Sequence, residues 1–368
     1  MITSRNIFIT GITGTLGKEM LKEILTTSND RVILLIRRKS QWSHWDRARR
    51  IMVPMGLDGL LGTRVQVVEG DITEPQFGLK AHDLHLLMHQ ADTFYHVAAL
   101  TSLNGSEEDC MRINLGGTRE ALKLAWLLKR EGKLKRFFYF STAFAAGSRQ
   151  TYCSLEDELP AEPAHANFYE ASKFKAETEV RQAMHEGLPV TIFRPSIVVG
   201  DSRTGEVSEF NVIYPFMKLF AHGIMRKLPT RIDNTFNIVP IDFVIRAAIA
   251  ISTQDDSVGK AYHLVTKTPP SVGDMMEVAH EDYTEVPKIE ILAPEDFIPE
   301  NLDANEQFVF QMLEPYLGYL NDNLSFDTRN TDKALEGTGI SFVDTDREFL
   351  RRIIGYAVRS GYIALQKA

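Results

Sequence analysis

Tyr169 and Lys173 stand four residues apart in a run of helix-forming composition from Asn167 to His185, so their side chains share one helical face. A lysine ammonium beside a phenol stabilises the phenolate and draws the tyrosine pKa down from about 10 toward neutral pH. Such a tyrosine can exchange a proton with a substrate oxygen. Upstream, the strand-like run Arg136 to Phe140 delivers Ser141-Thr142-Ala143. A hydroxyl from Thr142, with Ser141 as the second candidate, can hold that oxygen in place. Tyr-x-x-x-Lys recurs by chance in many chains, and its weight here comes from what precedes it.

What precedes it has the order of a dinucleotide site. Asn6 to Thr10 is β-branched and apolar, Gly11-Ile12-Thr13-Gly14-Thr15-Leu16-Gly17 breaks the run, and Lys18 to Leu25 carries apolar residues at helical spacing. Strand, glycine-rich turn and helix let backbone N–H groups at the helix start face a pyrophosphate. Gly11, Thr13, Gly14, Thr15, Leu16 and Gly17 are therefore the expected contacts. Arg31 to Ile36 is a near-continuous apolar run, as a strand covered on both faces requires. An NAD site places a carboxylate about 20 residues beyond the glycines, whereas a 2′-phosphate wants arginine. Arg37-Arg38-Lys39 occupies that place. NADPH rather than NADH is expected, with Arg37 first and Arg38 second.

The remaining elements extend the same plan. Arg64 to Glu69 reads as a third strand, followed by Asp71, placed to accept from an adenine amino group, and Ile72. Thr93 to Val97 is a fourth strand, and the small Ala98 and Ala99 let a cofactor lie close. Asn114, counted as a further cofactor contact, and Gly116-Gly117 interrupt a helix expected from Glu107 to Leu128. Glycines there cost about 1 kcal/mol each against alanine, so that helix is expected to pack tightly against the catalytic strand. Gln41 to Met52 interleaves Trp42 and Trp45 with Arg47, Arg49 and Arg50, and is expected to be a packed amphipathic helix beside the adenine pocket. His82, His85 and His89 lack the glutamate of a zinc motif and read as a solvated face; no metal is expected.

Alternating strands and helices predict an α/β fold, a doubly wound, mostly parallel Rossmann-type sheet over residues 1–200. Residues 239–265 should return to it, while 201–238 and 266–368 form a smaller, mainly helical substrate-binding part. A net charge of −8 gives no reason to expect nucleic acid or an anionic membrane. The two cysteines, Cys110 and Cys153, supply neither a disulfide framework nor a metal spacing. No apolar run approaches the ~20 residues of a transmembrane helix. A cytoplasmic, soluble monomer or homodimer is expected.

Gly-x-x-Gly-x-x-Gly, the strand-end Ser-Thr and Tyr-x-x-x-Lys together resemble the extended short-chain dehydrogenase/reductases. That resemblance implies a Thr142, Tyr169 and Lys173 triad in which Lys173 binds the nicotinamide ribose. It further implies that Val190 to Gly200 forms the next strand and a turn cradling the nicotinamide, with contacts at Pro195, Ser196 and Ile197. Gly70 to Pro75 with Phe77-Gly78-Leu79, Phe140 to Ala143, Gly200-Asp201-Ser202-x-Thr204-Gly205 and Asn237 to Val244 are more particular. They are similar to the fatty acyl-CoA reductase and thioester reductase branch, also named for male sterility proteins. The resemblance spans about residues 5 to 265. It implies NADPH-dependent reduction of an acyl thioester, on coenzyme A or an acyl carrier protein, to an aldehyde or alcohol. Many members are fused to adenylation or carrier domains; standing alone, this chain is expected to receive its thioester from elsewhere or to act on another substrate. Alternatives are a ketone, steroid-like or nucleotide-sugar substrate, although Ala143-Phe144 replaces the Asp-Glu of the superfamily's dehydratases. A non-catalytic NADPH-binding regulator is the remote alternative, which the intact Thr-Tyr-Lys set opposes. Tyr214, Phe216, Met217 and Phe220, within Phe210 to Met225, are candidates to line an acyl-chain channel.

Overall fold

Seven short apolar runs form one all-parallel sheet: β1 (Asn6–Thr10), β2 (Arg31–Ile36), β3 (Val65–Glu69), β4 (Thr93–His96), β5 (Arg136–Phe140), β6 (Val190–Pro195) and β7 (Lys260–Leu264). Their spatial order is β3-β2-β1-β4-β5-β6-β7. The computed structural model describes residues 4–147, 153–161, 163–224, 226–283, 286–321 and 323–364. The strands are buried almost end to end because helices cover both faces. On one face α1 (Thr15–Thr27) contributes Met20, Leu21 and Ile24 to the core. On the other, Leu87 of α3 (Ala81–Gln90), Leu124 of α5 (Gly117–Glu131) and Val180 of α6 (Phe168–His185) make a second cluster. The strand order reverses between β1 and β4, and the crevice outside the carboxyl ends of the strands at such a switch point is where α/β sheets place ligands.

Two local expectations change. α2 (His44–Met52) buries Ala48 and Met52, but Trp42 and Trp45 stay 40% and 43% exposed, and Arg50 stacks over the Trp42 ring at 4.2 Å. A helix this short buries one narrow stripe, and neither indole falls on it. The long helix beyond Glu107 is a single turn, α4 (Glu107–Cys110), then a π-helical turn (Met111–Gly116), then α5. Its glycine requirement comes from another neighbour than expected. A Cβ on Gly117 would fall 2.8 Å from Ile72 Cδ1, in the loop after β3, rather than against β5.

The chain returns to the sheet through α8 (Ile241–Ser252), whose Val244 and Ile251 join the core under α1, and β7, which pairs with β6. A separate apolar core holds α7 (Ile213–Ala221), α9 (Val272–Asp282), α10 (Ala304–Leu317) and α12 (Arg347–Arg359). Not all of residues 266–368 belong to it. Ala334 and Leu335 of α11 (Arg329–Leu335), with Ile340, Phe342 and Val343, pack on the sheet's own core instead. Glu156 fastens this return, accepting from the His263 N–H at 2.8 Å and from the Thr331 N–H and hydroxyl at 3.2 and 2.6 Å. Among the described residues, no helix is long and apolar enough to cross a membrane.

Beneath the carboxyl ends of β5 and β6 lies a fully buried ion pair, Arg194 Nη2 to Glu177 Oε1 at 2.6 Å. Arg194 also donates to the carbonyls of Leu155 and Glu158, both at 3.0 Å, and Ser141 donates to Glu177 Oε2 at 2.6 Å. Removing one partner of such a pair strands the other charge. Arg194→Met should therefore cost about 3–5 kcal/mol in urea unfolding at neutral pH. Burial pushes the Glu177 carboxyl up, but Arg194, Arg181 and Ser141 hold it down at about 2. A depressed carboxylate stabilises above its unfolded pKa and loses that contribution as pH falls toward the folded value. The wild-type advantage over Arg194→Met should accordingly shrink below about pH 4.

Candidate active site

The glycine turn closes without room to spare. Gly11 takes φ +81°, and a Cβ there would lie 2.4 Å from Ala98 N; one on Gly17 would lie 2.3 Å from the Gly11 carbonyl oxygen. No side chain caps the α1 start at Gly14, so its first-turn N–H groups suit an anion. Thr13, Thr15 and Leu16 are half-buried around this turn. The segment after Gly200 crosses it, with Glu209 paired to Lys18 at 3.2 Å and Ser208 Oγ 3.5 Å from Thr15 Oγ1. Neither contact has a local sequence signal.

At the next strand ends, Arg37 is exposed, its Nη1 3.4 Å from Asp71, while Arg38 reaches only to 3.9 Å from Glu69. Asp71 Oδ1 accepts from the Thr73 N–H and hydroxyl at 3.0 and 2.9 Å. Burial pushes that carboxyl up, but these bonds and Arg37 bring it below the usual range. Ile72 packs on Gly117. Ala98 and Ala99 lead to Leu100, which Asn114 clamps. The Leu100 N–H donates to Asn114 Oδ1 at 2.7 Å, and Asn114 Nδ2 donates to Leu100 O at 3.0 Å and Ser172 Oγ at 2.9 Å. Both amide hydrogens of Asn114 are engaged by protein, so it clamps the β4 loop to α6.

Helix α6 begins where Asn167 accepts from the Glu170 N–H at 3.0 Å. Tyr169, Lys173, Glu177 and Arg181 then recur every four residues on its inward face. The Thr142 side chain faces the Tyr169 phenol closely enough to exert a downward pull on its pKa. Thr142 Oγ1 also accepts from the Phe144 N–H at 3.3 Å and lies 3.5 Å from Pro195 O. Ser141 faces away, its hydroxyl given to Glu177. The lysine differs from expectation. Lys173 Nζ donates to Tyr139 Oη at 2.9 Å and Phe140 O at 2.6 Å. The Tyr169 phenol is not drawn down: burial pushes it up to about 12, against the pull of Thr142. Burial likewise pushes the Lys173 ammonium down to about 7, against the charge of Glu177. Tyr139, Glu177 and Arg194 had no motif to announce them, although the four-residue recurrence from Tyr169 does reach Glu177.

The C-terminal part supplies Tyr319. Its ring meets Phe144 edge-on at 4.7 Å, and Asn167 Nδ2 lies 3.2 Å from its hydroxyl, so it touches the segments flanking both Thr142 and Tyr169. Tyr214, Phe216, Met217 and Phe220 are instead core residues of α7, buried by their own helix packing; Met225 lies outside the described residues. Between α7, α9 and α12 remains an apolar cavity of about 50 Å³, lined by Met217, Phe220, Met276 and Ile354 among others. That is too small for an acyl chain.

After β6, the Ser196 hydroxyl is buried and, among the described residues, has no hydrogen-bond partner, and Ile197 is buried beside it. A backbone cradle at a helix start, small residues after β4, and an orphan hydroxyl beside a Tyr-Thr pair fit a nicotinamide dinucleotide. Fold and site together define an extended short-chain dehydrogenase/reductase. The NAD-binding Male sterility protein family matches residues 9–248, and the chain belongs to it, in the fatty acyl-CoA and thioester reductase branch. The large subunit of L-2-aminoadipate reductase from Penicillium chrysogenum is 30% identical over 288 residues, covering 73% of this chain and 20% of that protein. Fatty acyl-CoA reductase 1 of Xenopus laevis is 26% identical over 281 residues, covering 67% of this chain and 54% of the relative. This chain thus spans about half, or much less, of the curated relatives it matches. The crystal structure of the terminal R domain from the myxalamid PKS-NRPS biosynthetic pathway superposes with a TM-score of 0.85 at 27% identity, covering 100% of this chain and 94% of that one.

If Tyr169 is the proton donor, Tyr169→Phe should lower kcat by about 10²–10⁴-fold while leaving dinucleotide affinity within a few-fold. Steady-state rates and fluorescence titration measure the two. Unchanged turnover would remove Tyr169 from that role.

Proposed function

We propose that the protein is an NADPH-dependent reductase of acyl thioesters, carried by coenzyme A or an acyl carrier protein, and that it releases an aldehyde. The observation that carries this reading is the Thr142–Tyr169 hydroxyl pair, Thr142 just beyond β5 and Tyr169 facing it from α6 as a protonated phenol, on the carboxyl-end side of the sheet where the glycine turn also lies. The names of the relatives, an acyl-CoA reductase and an aminoadipate reductase, support the thioester class.

Gly11 to Gly17 would hold the pyrophosphate, Arg37 and Arg38 the 2′-phosphate, Asp71 and Ile72 the adenine, and Lys173 with Pro195, Ser196 and Ile197 the nicotinamide end. Bound there, the dihydronicotinamide supplies the hydride. Thr142 and Tyr169 donate hydrogen bonds to the thioester carbonyl oxygen, and these strengthen as it gains charge. A phenol near pKa 12 stays protonated at neutral pH, which suits a donor in the reductive direction. Collapse of the resulting tetrahedral adduct breaks the carbon–sulfur bond. The products are an aldehyde and a thiol, with one proton taken up overall.

The decisive measurement is a panel of acyl-CoAs, free aldehydes and ketones, following both NADPH absorbance and released thiol. The expected result is one thiol released per NADPH oxidised with at least one acyl-CoA; oxidation by ketones with no thiol from any thioester would sink the reading. Arg37→Ser should weaken NADPH about tenfold or more, the loss of a hydrogen bond to a charged group, and leave NADH almost unchanged. Equal losses for the two cofactors would place the 2′-phosphate elsewhere.

A further inference from the structure

We propose that Tyr139 is a positioning residue for Lys173, holding its ammonium so that one N–H remains directed at the cofactor ribose. This rests on reading Lys173 as the residue that binds that ribose. An ammonium has three donors and no acceptor. Two are committed to the protein, to Tyr139 Oη at 2.9 Å and to Phe140 O at 2.6 Å, and Nζ also lies 4.4 Å from the Tyr139 ring centroid. Lys173 is 2% exposed and Tyr139 is fully buried, so water does not compete for these bonds.

The polarity of the Tyr139 bond is set by the lysine itself. An ammonium can only donate, so Tyr139 turns a lone pair, not its proton, toward Lys173. Thr118, whose hydroxyl donates to Asn114 O at 2.6 Å, lies near enough to pull the Tyr139 phenol down against burial. A phenylalanine would keep the ring and its packing but remove this acceptor.

The groups facing Lys173 come from three elements. On β5 stands Tyr139, pushed well up by burial; on β4 stands His96, pushed down to about 3 by burial and by the charge of Lys173. On α6 stand Glu177, held down at about 2, and Tyr169, up at about 12. Among the described residues of this cluster, Lys173 alone changes charge between about pH 6 and 9. An alkaline loss of dinucleotide affinity in that window reports on it.

The test is the dissociation constant of NADPH, read by its fluorescence from pH 6 to 9, for the wild type, Tyr139→Phe and Lys173→Met. Wild-type affinity should weaken as pH rises through about 7. Tyr139→Phe should move that limb down by about one pH unit, the scale of one hydrogen bond to a charged group, with affinity at pH 6 within a few-fold of wild type. Should Tyr139→Phe fail to fold, 3-fluorotyrosine in place of Tyr139, nearly isosteric but a weaker acceptor, should move the limb the same way by less. Coincident profiles in the wild type and the position-139 variant would overturn the proposal while leaving the reading of Lys173 intact; a Lys173→Met affinity equal to wild type at pH 6 would overturn both.

Discussion

Two opposite charges fully buried against each other, Glu177 and Arg194, are the constraint on which the active half of the molecule depends. Taking each from water costs several kcal/mol, and only near-complete hydrogen bonding offsets that. The pair meets the demand by recruiting its surroundings. Glu177 accepts from Arg194, from Arg181 at 2.9 Å and from Ser141, while the rest of the Arg194 fork is spent on the carbonyls of the 155–158 loop. Each recruited group is thereby fixed. Ser141 directly precedes Thr142, and Lys173 lies one helical turn before Glu177. The register of β5 against α6, and so the approach of Thr142 to Tyr169, follows from where this pair can be satisfied.

The same anion bears on the chemistry. A buried lysine loses its proton readily, and burial takes Lys173 to about 7. Without the Glu177 charge it would fall further, and the site would lose its cation near neutral pH. The tyrosine is affected by burial in the opposite direction and stays a protonated phenol. The site therefore carries its charge on the lysine and a neutral phenol on the tyrosine, the division that the proposed reductive direction asks of a donor.

The cofactor half was legible in the sequence because its requirements are local. A pyrophosphate cradle needs glycine where any Cβ would strike backbone, and Gly11 and Gly17 meet that need within seven residues. The seven strands likewise read as apolar runs separated by helical ones, although their order in the sheet does not follow from that alternation. Tyr169 and Lys173 were legible as one helical face, but the partner of the lysine was not. Spacing along α6 says nothing of what β5 presents to it, and Tyr139 reads as one more aromatic in a buried strand.

The C-terminal part was illegible for the same physical reason. Tyr319 reaches the site only through contacts with Phe144 and Asn167, more than 150 residues earlier in the case of Asn167. Its neighbours in sequence are ordinary helix-end residues. The aromatic run of α7, by contrast, looked suited to an acyl chain and is consumed in packing, since a helix apolar on its inner face is satisfied by burial alone. Aromatic content along a helix therefore does not by itself mark a substrate surface. An aromatic hydroxyl anchored to Asn167 keeps the Tyr319 ring against Phe144, and that ring ties the C-terminal part to the segment that follows Thr142.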